Sequence, residues 1–346
     1  MLEFCDSFDH YTNAELGLKW SSFTTLGGFG IYANRGRFGT QGYMYGGSRE
    51  LVKIIGSKQE RIVGQAVLFG GADLFNSNRE VVRFIDGVSP QVELRTSGGV
   101  LQATLGASTL IPGAVGTTQL VGSVFYYIEI RLKHHNTLGT LEVRLNGNVE
   151  FALTGIDTQA SANASSDTLA YGQAPGGGSA YLLDDVYICD TVDSGVSGAP
   201  NNDFLGDVRV EALMPSGNGA TSNFDGSDGN STDNYLLVDE IPPNGDTDYV
   251  ESGDIGDKDT YAYPDLASAA GTVKGIQRIV HAKKTNAGPR KLKFVSRLSG
   301  GTEADSLEYV MSTNYLYMRD VAEAKPGGGQ WTISDVNGAE FGQKVA

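Results

Sequence analysis

Cysteine is nearly absent from this chain of 346 residues: there are 2, Cys5 and Cys189. Two thiols cannot build a disulfide framework or a structural zinc site. Histidine is scarce as well, at 4. His134 and His135 are adjacent, and neighbours on a strand point to opposite faces, so they cannot chelate one metal together. His10 and His281 stand alone. No apolar run approaches the ~20 residues of a membrane helix, which excludes a membrane partner of that kind. The opening MLEFCDSFDH has no basic or apolar leader, so the expectation is no signal peptide and assembly in a cytoplasm. Helical periodicity is rare. Glycine, by contrast, is abundant, with 47 residues, about twice the usual usage. It shows no G-X-Y period, so the chain is not collagen-like. With Val, Ile, Tyr, Phe and Thr between the glycines, the composition predicts an all-β protein with many turns.

The net charge is −15. An acidic total argues against nucleic acid as a partner, because phosphate binding needs a basic face. The charge is unevenly placed. Between Asp190 and Asp265 there are 17 acidic and two basic residues, and the remainder of the chain is balanced. From Lys274 to Arg297 there are eight Lys and Arg and no acid. Acidic loops beside a basic hairpin can attract each other within one domain or between copies. Lys283, Lys284, Arg290 and Lys291 are therefore candidates for an assembly interface.

Strand signals run throughout. FYYIEIRLK (Phe125–Lys133) alternates, with Tyr127, Glu129, Arg131 and Lys133 on one side. TLEVRLNGNVEF follows, and its Asn146-Gly147 step is a hairpin signal because both residues tolerate positive φ. A three-stranded meander with one wet face is predicted there. Residues 157–179 are small, polar and Gly-rich and read as a long loop. Gly176–Gly178 and Gly327–Gly329 read as turns, since no GK[ST] follows them. YLLDDVYICD reads as a buried strand. In the second half, strands are expected over Asp207–Met214 and Tyr235–Val238, and GIQRIVHAKK and KLKFVSRL are expected to pair as a hairpin around TNAGPR. Thr332 or Ser334 could cap a helical turn. No 20–50-residue period repeats, which argues against a solenoid or propeller. The expected domains are 1–197 and 204–346, joined by a linker at 198–203 with the turn-rich APNN run.

Three pieces carry a resemblance: an opening with Phe4, Asp6, Phe8 and Asp9; the meander Tyr127–Gly147; and the closing LLDDVYICD. With the joint FLGDVRVEALMPSGNGATSNF, they resemble the concanavalin A-like jelly-rolls (lectin/glucanase and laminin-G-like sandwiches) of tailed-bacteriophage virion proteins. The resemblance implies a jelly-roll sandwich followed by a smaller antiparallel β-sandwich. It implies first and last strands side by side, which would bring Cys5 and Cys189 onto neighbouring strands, as two free thiols or as a disulfide. It also implies a structural, non-enzymatic role in the virion: tail fibre, baseplate, capsid decoration or cement. The partners would be other virion proteins and copies of itself in a homo-oligomer. The alternative is an adhesin that binds host-surface glycan.

Site candidates are sparse. Glucanases of this fold carry E-x-D-x-x-E on one strand, and no such triplet occurs. Glu129 and Glu142 each have an arginine two residues on, which predicts surface ion pairs and no catalytic residue. Trp20, Tyr32, Tyr43, Tyr45 and Tyr171 lie in Gly-rich surroundings and are candidate sugar platforms. No cofactor is expected other than calcium. Its candidate oxygen ligands are Asp225, Asp228 and Asp233 in one loop and Asp254, Asp257 and Asp259 in another, with Asp184 and Asp185 in addition.

Overall fold

The computed structural model describes residues 1–23, 28–46, 50–70, 78–172 and 180–346. Gly176–Gly178 and most of the loop's end lie outside the described residues. The first half is an antiparallel jelly-roll of two sheets. The front sheet runs, in spatial order, Asn148–Ile156, Gly139–Leu145, Phe125–Lys133, Glu60–Leu68, Ala180–Asp190, Gly42–Gly46 and Gly30–Tyr32, with Leu2–Asp6 also paired to Ala180–Asp190. The back sheet runs Thr109–Val115, Val100–Leu105, Ser89–Ser97, Arg79–Asp86, Ser166–Tyr171, Leu51–Lys58 and Ser22–Phe23.

The period-2 pattern sets which face is dry. Tyr126, Ile128, Ile130 and Leu132 join Leu141, Val143, Val63, Val67 and Ile188 in the core between the sheets. Burying such a side chain contributes about 1.5–3 kcal/mol relative to exposure. Asn146 and Gly147, at φ 49° and 80°, make the expected tight turn.

The opening strand Leu2–Asp6 is the seam. It pairs with the closing strand Ala180–Asp190, with Leu2 opposite Cys189 and Cys5 opposite Tyr187. Both cysteines are free. Burial pushes the Cys5 thiol up to about 11 and raises Cys189 as well. On the inner face, Phe4 and Phe8 meet Trp20, edge-on at 5.2 Å and stacked at 5.8 Å. Asp6 sits at the centre, fully buried. It accepts from Lys19 Nζ at 2.8 Å, Tyr11 OH at 2.5 Å, Trp20 Nε1 at 2.7 Å and the Phe8 amide at 3.0 Å. The last bond holds Phe8 at φ 63°, a left-handed conformation that costs about 1–2 kcal/mol. Burial would raise the Asp6 carboxyl, but Lys19, His10 and these donors outweigh it and hold the group below its ordinary value.

The second half is smaller and also antiparallel. Its sheet runs Gly217–Ser222, Lys258–Ala262, Glu340–Val345, Lys291–Arg297 and Glu303–Asp305, with Tyr309–Val310 at the other end of Lys291–Arg297. A ribbon of Ile276–Ala282 and Leu316–Ala322 forms the second layer. Val280 and Met318 of the ribbon pack on Leu292 and Phe294 of the sheet. The expected hairpin between GIQRIVHAKK and KLKFVSRL does not form: the first strand pairs with Leu316–Ala322 and the second with Glu340–Val345. Both sequences alternate, so either pairing satisfies the pattern, and the turn-rich TNAGPR accommodates a crossover between layers. Tyr235–Val238 is a 3-10 turn over Asn234–Leu237. Thr332 caps the helix Ile333–Asn337 through a capping box with Asp335.

The ribbon's other face lies on the sandwich. The Cys5 amide donates to Gln277 Oε1 at 3.1 Å, and Gln277 Nε2 donates to the Cys5 carbonyl at 2.8 Å. The Leu2 amide donates to Glu323 at 2.7 Å. Truncating Asp6→Ala would strand the Lys19 ammonium and two ring donors in the core. The expected loss is about 3–5 kcal/mol in denaturant unfolding. In the Lys19→Met background the same truncation should cost distinctly less, and a loss below about 1 kcal/mol in both backgrounds would remove Asp6 from its central place.

Candidate functional site

The outer face of the front sheet carries a dense group of buried ionisable side chains. Alternation puts Tyr127, Glu129, Tyr187 and Asp184 there. Gly64 lies beneath Tyr187, and a Cβ at Gly64 would stand 1.9 Å from the ring. Glycine is therefore required for the ring to lie flat on the sheet. Tyr187 and Tyr127 stack at 6.4 Å. Tyr187 OH donates to Glu129 Oε1 at 2.5 Å. The other oxygen, Oε2, is buried with no hydrogen-bond partner among the described residues. Burial raises the Glu129 carboxyl, against the pull of Tyr187 and the Gly206 amide. Tyr187 is held well above its ordinary value, first by burial and then by the Glu129 charge.

The closing strand adds a second acid pair. Its ladder slips between Asp184 and Tyr187, and Asp185 takes φ 48°. Asp184 accepts the Arg37 amide and the Asp185 amide, at 2.7 and 2.8 Å. The Arg37 guanidinium reaches Asp185 at 3.5 Å and Asp207 at 2.5 Å, and lies 5.3 Å from the Tyr127 ring centroid. Burial raises both carboxyls, and the Asp185 charge raises Asp184 further.

Residues 204–210, expected at the start of the second domain, lie across this face as a strap. The Gly206 amide donates to Glu129 Oε1 at 2.8 Å, the Leu205 amide to Tyr187 OH at 3.1 Å and the Val210 amide to Asp185 Oδ1 at 2.7 Å. Phe204 sits under Arg144 at 4.1 Å. Chemically, Glu129 and Tyr187 form a hydrogen-bonded carboxylate–phenol pair, and the chain's own amides bond Glu129 Oε1 and the Tyr187 hydroxyl, leaving Glu129 Oε2 open.

Glu142 pairs with Arg144 at 2.7 Å, as expected. Glu129 does not pair with Arg131, which bonds Glu60 and Asp203 instead. The charge pattern alone could not show that Glu129 is only 1 % exposed. No alternation or motif in the sequence singles out Tyr187, Arg37 or the strap. The available signal was the Asp184-Asp185 step inside an otherwise apolar strand.

The expected sugar platform is corrected. Trp20, Tyr43, Tyr45 and Tyr171 are core residues, each at most 1 % exposed, and only Tyr32 reaches the surface. Their rings turn inward although glycines flank them: Gly42 closes on the Arg35 backbone and Gly172 takes φ 83°. Trp20, for example, meets Tyr171 edge-on at 5.8 Å. The two acidic loops are not brought together as ligand cages. Asp259 is buried and takes the Asn223 and Phe224 amides and Asn234 Nδ2. Asp228 closes a turn with Asn230, at 3.1 and 2.6 Å. Asp257 accepts from Ser252, and the Asp254 amide donates to Ser252. Asp225 pairs through its backbone with Glu251, and Asp233 precedes the 3-10 turn. Among the described residues, no group of three or more His, Cys, Asp or Glu could hold a metal.

The basic residues expected at an interface between copies find partners within the chain. Lys283 bonds Asp246 at 2.5 Å and Lys291 bonds Glu308 at 2.6 Å. Lys284 reaches the Gly288 carbonyl at 2.8 Å and Arg290 the Gly253 carbonyl at 3.5 Å. The acidic region and the basic strand thus meet in part inside one molecule.

No protein-family model and no curated protein matches the chain. Among solved structures it is similar to the alginate lyase Aly36B, at 12% identity and TM-score 0.39, over 54% of this chain and 96% of that one. It is similar to the cellulose-induced protein Cip1, at 15% and 0.41, over 54% and 97%. It is also similar to a sialidase, at 12% and 0.42, over 78% and 27%. The expectation of a protein without enzymatic activity is withdrawn, because the solved structures it is similar to include alginate lyases and a sialidase; at this level the likeness shows the fold alone.

The acid pair predicts a pH dependence. Folding raises the Asp184 pKa, so its protonated form favours the native state. That contribution is fully present below the ordinary carboxylate value, near 4, and is lost as pH rises through the raised folded value. Asp184→Asn cannot ionise but keeps only one of the two acceptors. The variant should melt below the parent at pH 4, and the gap should narrow or invert by pH 9. A gap independent of pH would remove Asp184 as the cause.

Proposed function

We propose that the chain is a building block of a larger protein assembly, of the tailed-phage virion kind its sequence resembles, and that its second half meets neighbouring subunits. The observation that carries this reading is a half-buried segment that its sequence predicts as a strand but that pairs in no sheet among the described residues. Residues 208–215 are half-buried throughout, and their pattern predicts a strand, yet they join none. Among the described residues, the amides of Glu211–Met214 make no backbone hydrogen bond. Half-buried backbone normally finds partners. Among the described residues, Ile276–Ala282 has a ladder on one side only, to Leu316–Ala322.

Both segments line one cavity of about 1370 Å³, together with Phe294 and Met311. That exceeds the ~300–1,000 Å³ of small-molecule sites. An unpaired strand edge is a surface on which another chain can add a strand. Leu307 and Val310 of the same half are 83% and 70% exposed. The partners in this reading are copies of the chain and other virion proteins, and the place of action is the particle.

Two measurements test it. Mass spectrometry of purified particles should find the chain at fixed stoichiometry. Hydrogen exchange at Glu211–Met214 should be fast in the isolated chain and slowed in the assembly. Absence from the particles, with a monomer at every concentration in sedimentation, would overturn the reading.

A further inference from the structure

A second, smaller cavity, of about 180 Å³, opens where the ribbon meets the sandwich. Leu18, Lys19 and Lys53 line it from the sandwich, and Ile279, Tyr317 and Arg319 from the ribbon. Its polar side chains are two ammonium groups, a guanidinium and a phenol, and no carboxylate lines it. Three cations gather about the Phe4 ring: Lys53 Nζ at 4.4 Å, the Arg319 guanidinium at 4.8 Å and Lys19 Nζ at 5.5 Å from the centroid. Lys19 and Lys53 are 5% and 6% exposed.

Of the three, only Lys19 has a carboxylate partner among the described residues, Asp6. Lys53 donates to the Lys19 carbonyl. Arg319 Nη1 and Tyr317 OH are both buried and have no hydrogen-bond partner among the described residues. Burial, then the Arg319 charge, pushes the Lys53 ammonium down to about 7. Buried charges are retained when paired, and buried donors when bonded. Two cations with no carboxylate of their own, although the Asp6 charge acts on both, and an unpaired hydroxyl around one cavity therefore specify what is missing.

We propose that this cavity binds a small inorganic oxyanion of the phosphate or sulfate class, held by Lys53 Nζ, Arg319 Nη1 and Tyr317 OH. Such an ion supplies acceptors in several directions and two negative charges, which match the donors and the excess charge. An arginine fork suits an oxyanion in particular. Because the donors come from both halves, the ion would bind the native arrangement of sandwich and ribbon and stabilise it by mass action.

The probes are inorganic phosphate and sulfate against chloride at equal ionic strength, with the full chain and thermal unfolding as the readout. Phosphate at about a hundredfold excess over its Kd should raise the melting temperature by about 3–8 °C. The rise should be smaller in Tyr317→Phe and absent in Arg319→Gln and Lys53→Met. Sulfate should behave as phosphate does. An equal rise in the parent and all three variants would be the general effect of excluded salts and would overturn the site. Should the cation variants fail to fold, phosphorus NMR of phosphate with the parent decides. Line broadening that sulfate reverses supports the site, and an unchanged line overturns it.

Discussion

A carboxylate sealed inside a hydrocarbon core has to be neutralised where it sits, and Asp6 is sealed completely. Its four donors come from Phe8, Tyr11, Lys19 and Trp20. Satisfying one charge therefore orders the whole chain that follows the opening strand. The rings it places, Trp20 above all, form the middle of the core between the sheets. The same short strand pairs with Ala180–Asp190 on one side and touches Gln277 and Glu323 of the second half on the other. One segment of five residues thus has three clients, and the electrostatics of one buried group fix its position for all of them.

The two halves are coupled a second time by the strap. A sheet whose outer face carries Glu129, Asp184 and Asp185 is not covered well by apolar residues alone. The strap brings backbone amides, which are the donors those carboxyls need, and Phe204 and Leu205 for the apolar remainder. The sandwich is consequently completed by chain that lies beyond its last strand. Contacts spanning 272 and 321 residues join the opening strand to the ribbon. Such separations make ordering costly before the contacts are rewarded, and they slow folding.

Much of the sandwich is legible in the sequence. Phe125–Lys133, the Asn146-Gly147 turn and the closing strand each obey a local rule: alternation, positive φ, or an apolar run. The Thr332 cap is equally local. What depends on the other side of the molecule is not legible. Trp20 and Tyr171 look like loop aromatics because neighbouring residues say nothing about a second sheet closing over them. Glu129 looks like a surface acid because its nearest cation in sequence is Arg131, and the competing partner Tyr187 is 58 residues away. The strand predicted at Asp207–Met214 has the right alternation and no ladder, since alternation records which face is buried and not what lies alongside. The anion cavity has no sequence signal at all: Lys53 and Arg319 are ordinary strand cations until the ribbon is laid on the sandwich.

The Gln277 carboxamide has the donor and acceptor of a peptide group, and it meets Cys5 as a neighbouring strand would. An open sheet edge recruits strands from other molecules unless something blocks it. Here a single side chain closes the register at the middle of the opening strand, and Glu323 closes it at Leu2. The ribbon therefore acts as a stopper on the sandwich. Cut free of its second half, the sandwich would present an uncapped strand edge open to pairing with another copy.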